Sequence, residues 1–146
     1  TLNKLGELFG QMEAVKAMTD VTGFGLLGHL AEMCEGSGLS AVIDFGKVPV
    51  IPSLSYYQGC IPGGTLRNWD SYGHKIGPLS DEQRLVLADP QTSGGLLVAV
   101  AETEAPAFEE LLRQQGLPAG CCQTFGRLEA GRQGALITLG PVIAGT

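Results

Sequence analysis

Glycine occupies 22 of the 146 positions, about 15% against a usual ~7%. That excess constrains the fold more than any other feature. The glycines follow no G-X-Y period, which excludes a collagen-like chain. Hydrophobic residues make up 44% of the sequence, enough apolar material to bury a core, which excludes intrinsic disorder. The glycines therefore belong to a folded domain with many tight turns, or with many places where backbone meets a neighbour closely. A chain of this length is expected to form a single domain over 1–146.

Charge narrows the partners. Only 16% of residues are charged and the net charge is −6. The nine Lys and Arg residues are scattered singly, so no basic patch exists to hold nucleic-acid phosphates. No apolar run reaches the ~18 residues of a membrane helix. Thr1 opens the chain, so a processed or cut N-terminus is expected. Cys34, Cys60, Cys121 and Cys122 form no C-x-x-C pair; reduced thiols and a cytoplasmic location are expected rather than a disulfide framework.

The apolar spacing predicts an alternation of helices and strands. A short helix is expected at 2–9 and a strand at 15–18, then the turn 19–25. Leu26, Leu27, Leu30, Met33 and Cys34 recur at helical spacing, and Gly36-Ser37-Gly38 ends that helix. A strand is expected at 40–45, with Ala41, Ile43 and Phe45 on one face and Val42 on the other. An extended run follows between Pro49 and Pro52, with a brief helix from Ser53. Residues 58–79 show no period and read as a long polar loop, a feature more often functional than idle. Ser80-Asp81-Glu82-Gln83 is a capping signature for a helix through Leu87. Leu96–Val100 reads as a strand buried on both faces. An amphipathic helix is expected over 104–115, with a Glu109–Arg113 pair outside and Gly116 at its end. Strands at 124–128 and 135–139 are expected to close the chain as an antiparallel hairpin. Together these elements predict an α+β fold, a mixed β-sheet covered by helices.

Three polar, glycine-bearing segments stand out. In T-D-V-T-G-F-G (19–25) a strand runs into a helix N-terminus, a place where backbone N–H groups attract anions. Asp20 there is suited to Mg²⁺, a hard cation that takes oxygen ligands and is often shared with substrate phosphates. One carboxylate supplies only part of an octahedral shell. The same residues also fit a plain structural role, with Asp20 and Thr22 capping turn and helix. The missing G-K-[ST] excludes a Walker P-loop. In P-G-G-T-L-R-N (62–68), Gly63 and Gly64 permit close approach, Arg67 offers a donor fork for phosphate and Asn68 one more polar group; a surface loop with Arg67 paired to a carboxylate is the alternative. D-P-Q-T-S-G-G (89–95) reads first as a turn feeding a buried strand. His29 flanks the helix stripe, and His74 lies in the polar stretch with no catalytic partner. No complete catalytic set is present.

The three segments, with K-A-M-T-D-V-T-G-F-G-L-L-G-H-L at 16–30, P-G-G-T-L-R-N at 62–68 and D-P-Q-T-S-G-G-L-L at 89–97, together resemble the C-terminal domain of the selenophosphate synthetase (selenide, water dikinase) family. The resemblance runs from about Leu2 to Leu139. T-D-V-T-G-F-G alone is shared in looser form by the wider aminoimidazole ribonucleotide synthetase superfamily, so a related ATPase of purine synthesis or maturation, or a non-catalytic binding module, remains the alternative. The resemblance implies the superfamily's C-terminal-domain fold. It also implies a two-domain enzyme that converts selenide, ATP and water to selenophosphate, AMP and phosphate with Mg²⁺. The N-terminal domain of such an enzyme carries the reactive Cys (or selenocysteine), a Lys and most metal carboxylates, and ATP lies between the domains. Asp20 matches the family's C-terminal-domain metal ligand. Thr22, Gly23, Gly63, Gly64, Thr65, Arg67 and Asn68 become candidates for the cleft that holds ATP. The implied partners are the chain's own N-terminal domain and a second copy in a homodimer. The N-terminal residues are not among these 146, so the fragment is expected to be inactive alone.

Overall fold

The computed structural model describes residues 3–51, 63–131 and 133–141. The described elements run in the order α1 (Leu5–Gly10), β1 (Val15–Asp20), α2 (Gly25–Ser37), β2 (Leu39–Ile43), α3 (Gly63–Tyr72), α4 (Asp81–Leu87), β3 (Leu96–Val100), α5 (Ala105–Gln114), β4 (Gly126–Ala130) and β5 (Ile137–Leu139), with short 3-10 turns between several of them. The α+β class is as the sequence predicts. The segment expected to be helical from Ser53 lies outside the described residues.

Two sheets form. β1 pairs antiparallel with β3, Met18 opposite Val98 and Asp20 opposite Leu96. The second sheet has the order β4-β2-β5 and is mixed: β4 runs antiparallel to β2 and β5 parallel to it. The expected closing hairpin is therefore corrected. β4 and β5 do not pair with each other but take opposite edges of β2. The physical reason lies in β2, where Ser40, Ala41, Val42 and Ile43 are all buried; flanking strands satisfy its backbone on both sides. The strand buried on both faces is thus β2. In β3 only Leu97 is fully buried, against expectation, because β3 has β1 as its sole sheet partner among the described residues.

α2 organises the core. Leu27, Leu30, Ala31 and Cys34 are buried on one face and pack with Ala41, Ile43, Leu87, Leu97 and Ile137. Full burial of side chains such as Leu27 and Leu30 stabilises by roughly 1.5–3 kcal/mol each. Gly38 ends the helix in the left-handed region at φ 69°, the usual C′ device. Burial lifts the Cys34 thiol to about 11, with Glu35 adding to the shift, so this cysteine is a neutral packing group. Cys34, Cys121 and Cys122 are free thiols; Cys60 is outside the described residues.

The largest correction concerns 58–79. Residues 58–62 lie outside the described residues, but 63–72 form the ten-residue helix α3 and Gly73–Lys75 a 3-10 turn. The hydropathy pattern hides α3 because its inward face is polar: Thr65, Asn68 and Tyr72 are the buried residues. Their spacing of three and four is helical all the same. After the turn, Ile76 bridges Ile137 in parallel, tying this segment to the second sheet.

α4 starts as its sequence signature predicts. The Ser80 hydroxyl accepts the Gln83 N–H at 3.2 Å and the Gln83 side chain accepts the Ser80 N–H at 2.8 Å. Both donors would otherwise be orphaned at the helix start. Ser80→Ala is expected to cost about 1 kcal/mol, read as a lower urea midpoint with an unchanged slope.

α5 buries Phe108 edge-on against Phe9, ring centroids 5.0 Å apart. Glu109 pairs with Arg113 at 3.4 Å and accepts the Thr124 N–H at 2.7 Å. Burial works against the Glu109 charge, but the Thr124 hydrogen bonds and Arg113 outweigh it and hold the carboxyl below its usual range.

Candidate functional site

The three glycine-bearing segments, far apart in sequence, meet at one place. β1 delivers Asp20 at its last position, and Val21–Phe24 turn the chain into α2. The 89–95 turn lies alongside. The Val21 N–H donates to the Gly95 carbonyl and the Gly94 N–H to the Val21 carbonyl, both at 2.9 Å, while the Gln91 N–H donates to the Thr22 carbonyl at 3.0 Å. Gly94 allows this approach, since a Cβ there would lie 2.8 Å from the Val21 carbonyl oxygen.

α3 closes the junction from the other side. Asn68 is only 8% exposed, and its Nδ2 donates to the carbonyls of Gly23 and Ala88, each at 2.9 Å. The Thr65 hydroxyl donates to Asp89 Oδ1 at 3.2 Å, and Gln91 Nε2 donates to Asp89 Oδ2 at 2.9 Å. Gly64 faces the Pro90 ring, which a Cβ would meet at 2.8 Å. The Tyr72 hydroxyl donates to the Phe24 carbonyl at 2.7 Å. Burial pushes that hydroxyl far above its ordinary pKa, so it stays a donor across the physiological range.

The expected site residues therefore divide. Asp20, Gly23, Gly63 and Arg67 are exposed, and Thr22 and Gly64 half-buried. Thr65 and Asn68 are turned inward to hold the junction. Neither Asp20 nor Thr22 caps α2, whose N-cap is Phe24 with no side-chain cap bond. The Asp20 carboxylate has no hydrogen bond or ion pair among the described residues, and Arg67 has none either. Both are charged groups on the surface of a tightly bonded scaffold.

Residues 2–138 match the family described as AIR synthase related protein, C-terminal domain. The chain belongs to this family. Among curated relatives, it is 60% identical to a selenide, water dikinase of Pseudomonas putida over 119 residues, which cover 80% of this chain and 35% of that protein. It is 58% identical to the enzyme of the same name from Colwellia psychrerythraea, again over 80% of this chain and 35% of the relative. A third, from Aeromonas hydrophila, is 56% identical over 132 residues, or 89% of this chain and 37% of the relative. The chain thus spans about a third of the length of these relatives.

In this AIR synthase C-terminal domain the described residues hold no group of three His, Cys, Asp or Glu side chains placed to bind a metal. Grooves of about 440 Å³ beside β1 and α2 and about 200 Å³ between α2 and α3 are present, and neither is lined by Asp20 or Arg67. No helix among the described residues is long and apolar enough to cross a membrane. Sequence reasoning placed Asp89 in a structural turn and His29 at the edge of the helix stripe, and it left Tyr72 out of the junction altogether. For Tyr72 a signal existed, since it lies four positions after Asn68 and seven after Thr65, on one helical face.

Proposed function

We propose that the chain is the C-terminal part of a selenide, water dikinase, that Asp20 supplies one oxygen ligand to a Mg²⁺ ion, and that the surface around the three-segment junction forms one wall of a cleft for ATP. The observation that carries this reading is the exposed Asp20 carboxylate at the end of β1, which has no partner among the described residues, on a turn held by hydrogen bonds from two other segments. The 53–60% identity to proteins of that name supports the activity. A single carboxylate fits Mg²⁺, which commonly keeps several waters and shares substrate phosphates with one or two acidic side chains. When bound, Mg²⁺ neutralises charge developing on the transferred phosphoryl group.

The chain's own residues have distinct duties in this reading. Asp20 holds the metal and stays at the rim because Val21 is fixed on both its N–H and its carbonyl. Thr22, Gly23, Gly63 and Gly64 form the wall, and Thr65 and Asn68 keep its backbone in place. Arg67, with its five donors, faces the triphosphate. The remaining metal ligands and the reactive groups belong to the N-terminal domain of the parent, so the 146-residue chain alone is inactive.

Asp20→Asn in the full-length protein tests the assignment. The Mg²⁺ concentration for half-maximal selenide-dependent ATP turnover is expected to rise about tenfold or more, as loss of a group that orients or binds a metal does. An unchanged Mg²⁺ requirement removes Asp20 from the metal site.

A further inference from the structure

We infer that His29 is a positioning residue for the Asp20-bearing turn; the inference rests on the proposed role of that turn. His29 is 7% exposed and lies on the second turn of α2, beyond the turn that follows the metal carboxylate. Its Nε2 accepts the Thr22 backbone N–H at 3.1 Å, and the Thr22 hydroxyl sits 3.2 Å from the same nitrogen. An Nε2 that accepts a backbone N–H has its lone pair free, so the ring proton is on Nδ1. Nδ1 is buried and makes no hydrogen bond, and the nearest acid is Glu32, with Oε2 at 3.4 Å.

The contact completes a set. Thr22, Gly23 and Phe24 are consecutive, and each has a backbone polar group held by a side chain: the Thr22 N–H by His29, the Gly23 carbonyl by Asn68 and the Phe24 carbonyl by Tyr72. Of the three, only His29 acts as an acceptor, and only it comes from the helix that the turn itself starts. A ring fixed in α2 therefore sets the distance between the helix and the end of β1. Without it the Val21–Thr22 peptide keeps only the bond from the Gly94 N–H to the Val21 carbonyl, and Asp20, two residues earlier, is held less precisely toward the metal.

The test compares His29→Gln with His29→Leu in the full-length protein. A Gln side-chain oxygen reaches about where Nε2 lies and accepts the Thr22 N–H; Leu fills the space without an acceptor. His29→Leu is expected to raise the half-saturating Mg²⁺ concentration about tenfold with a smaller change in KM for ATP, and His29→Gln to restore most of the loss. A wild-type Mg²⁺ requirement in His29→Leu, or equal impairment in both variants, overturns the inference. A second measurement does not depend on activity. In the ¹⁵N-histidine-labelled parent, the imidazole signal absent from His29→Gln is expected to show the Nδ1–H tautomer, and an Nε2–H tautomer overturns the assignment. Asp20→Asn separates the two ideas. If it leaves the Mg²⁺ requirement unchanged, the metal reading fails, and the tautomer alone decides whether His29 holds the turn.

Discussion

Gly25→Ala is expected to destabilise the chain by about 4 kcal/mol, a fall in Tm on the order of 10 °C for a domain of this size. Two effects combine. Gly25 opens α2 at φ 69°, a left-handed conformation that costs an L side chain roughly 1–2 kcal/mol. A Cβ at this position would also lie 2.8 Å from the Ala88 carbonyl carbon and 2.9 Å from the Asp89 carbonyl oxygen. Those are backbone atoms and cannot rotate away, so the turn before β3 must shift, at a further cost of about 1–3 kcal/mol. Gly38 provides the control. It has the same φ of 69° but nothing within 4 Å of its would-be Cβ, so Gly38→Ala carries the conformational part alone, about 1 kcal/mol. Equal losses in the two variants, measured by urea denaturation, would mean that the close contact between α2 and the 88–89 backbone contributes nothing.

The glycine excess that constrained the sequence reading is thus resolved at the level of single atoms. The sequence allows either many turns or many close approaches. At the junction the second reason dominates. Gly25, Gly64 and Gly94 each face an atom of another segment at less than 3 Å from a would-be Cβ. Elements with apolar periods or clear caps were legible: α2 through Leu27, Leu30 and Cys34, α4 through Ser80 and Gln83, and α5 through Phe108 and Gly116. α3 was not, because hydropathy is blind to a helix whose inward residues, Thr65, Asn68 and Tyr72, each carry a polar group that the fold holds by a hydrogen bond. The closing hairpin was misread because its two strands are neighbours in sequence. Nothing in residues 124–139 tells that β2, some 85 residues earlier, is the strand both of them pair with. The three motifs were legible as motifs, yet which residues face outward and which hold the scaffold became clear only from the fold. Arg67 and Asn68 are adjacent in sequence, yet the first is exposed and the second buried.

Asn68 is where that distinction has its largest consequence. Asn68→Leu keeps the approximate size and shape of the side chain but removes both donors. The Ala88 carbonyl then loses its partner in a buried site, and the Gly23 carbonyl loses one in a partly buried site. An unsatisfied buried polar group costs about 1–3 kcal/mol, so a loss of roughly 2–3 kcal/mol is expected, most of it from the Ala88 carbonyl. Asn68→Ala is expected to cost less, because the space vacated gives water access to the same carbonyls. Asn68→Asp distinguishes a hydrogen-bond role from simple packing. An ionised carboxylate would face two carbonyl oxygens, so burial and repulsion raise its pKa above the ordinary value of about 4. The sign follows: the penalty is absent below the unfolded-state pKa and grows as pH rises through the folded one. A protonated Asp offers one O–H donor where Asn offers two, so Asn68→Asp is expected to recover part of the lost stability below about pH 4 and to lose it toward neutral pH, whereas the Leu variant shows no such pH dependence. If the three variants were equally destabilised at every pH, Asn68 would be acting through its volume. A pH-dependent gap between the Asp and Leu variants identifies hydrogen-bond donation at this position, rather than volume, as what joins α3, the Asp20-bearing turn and the 88–95 segment into one unit.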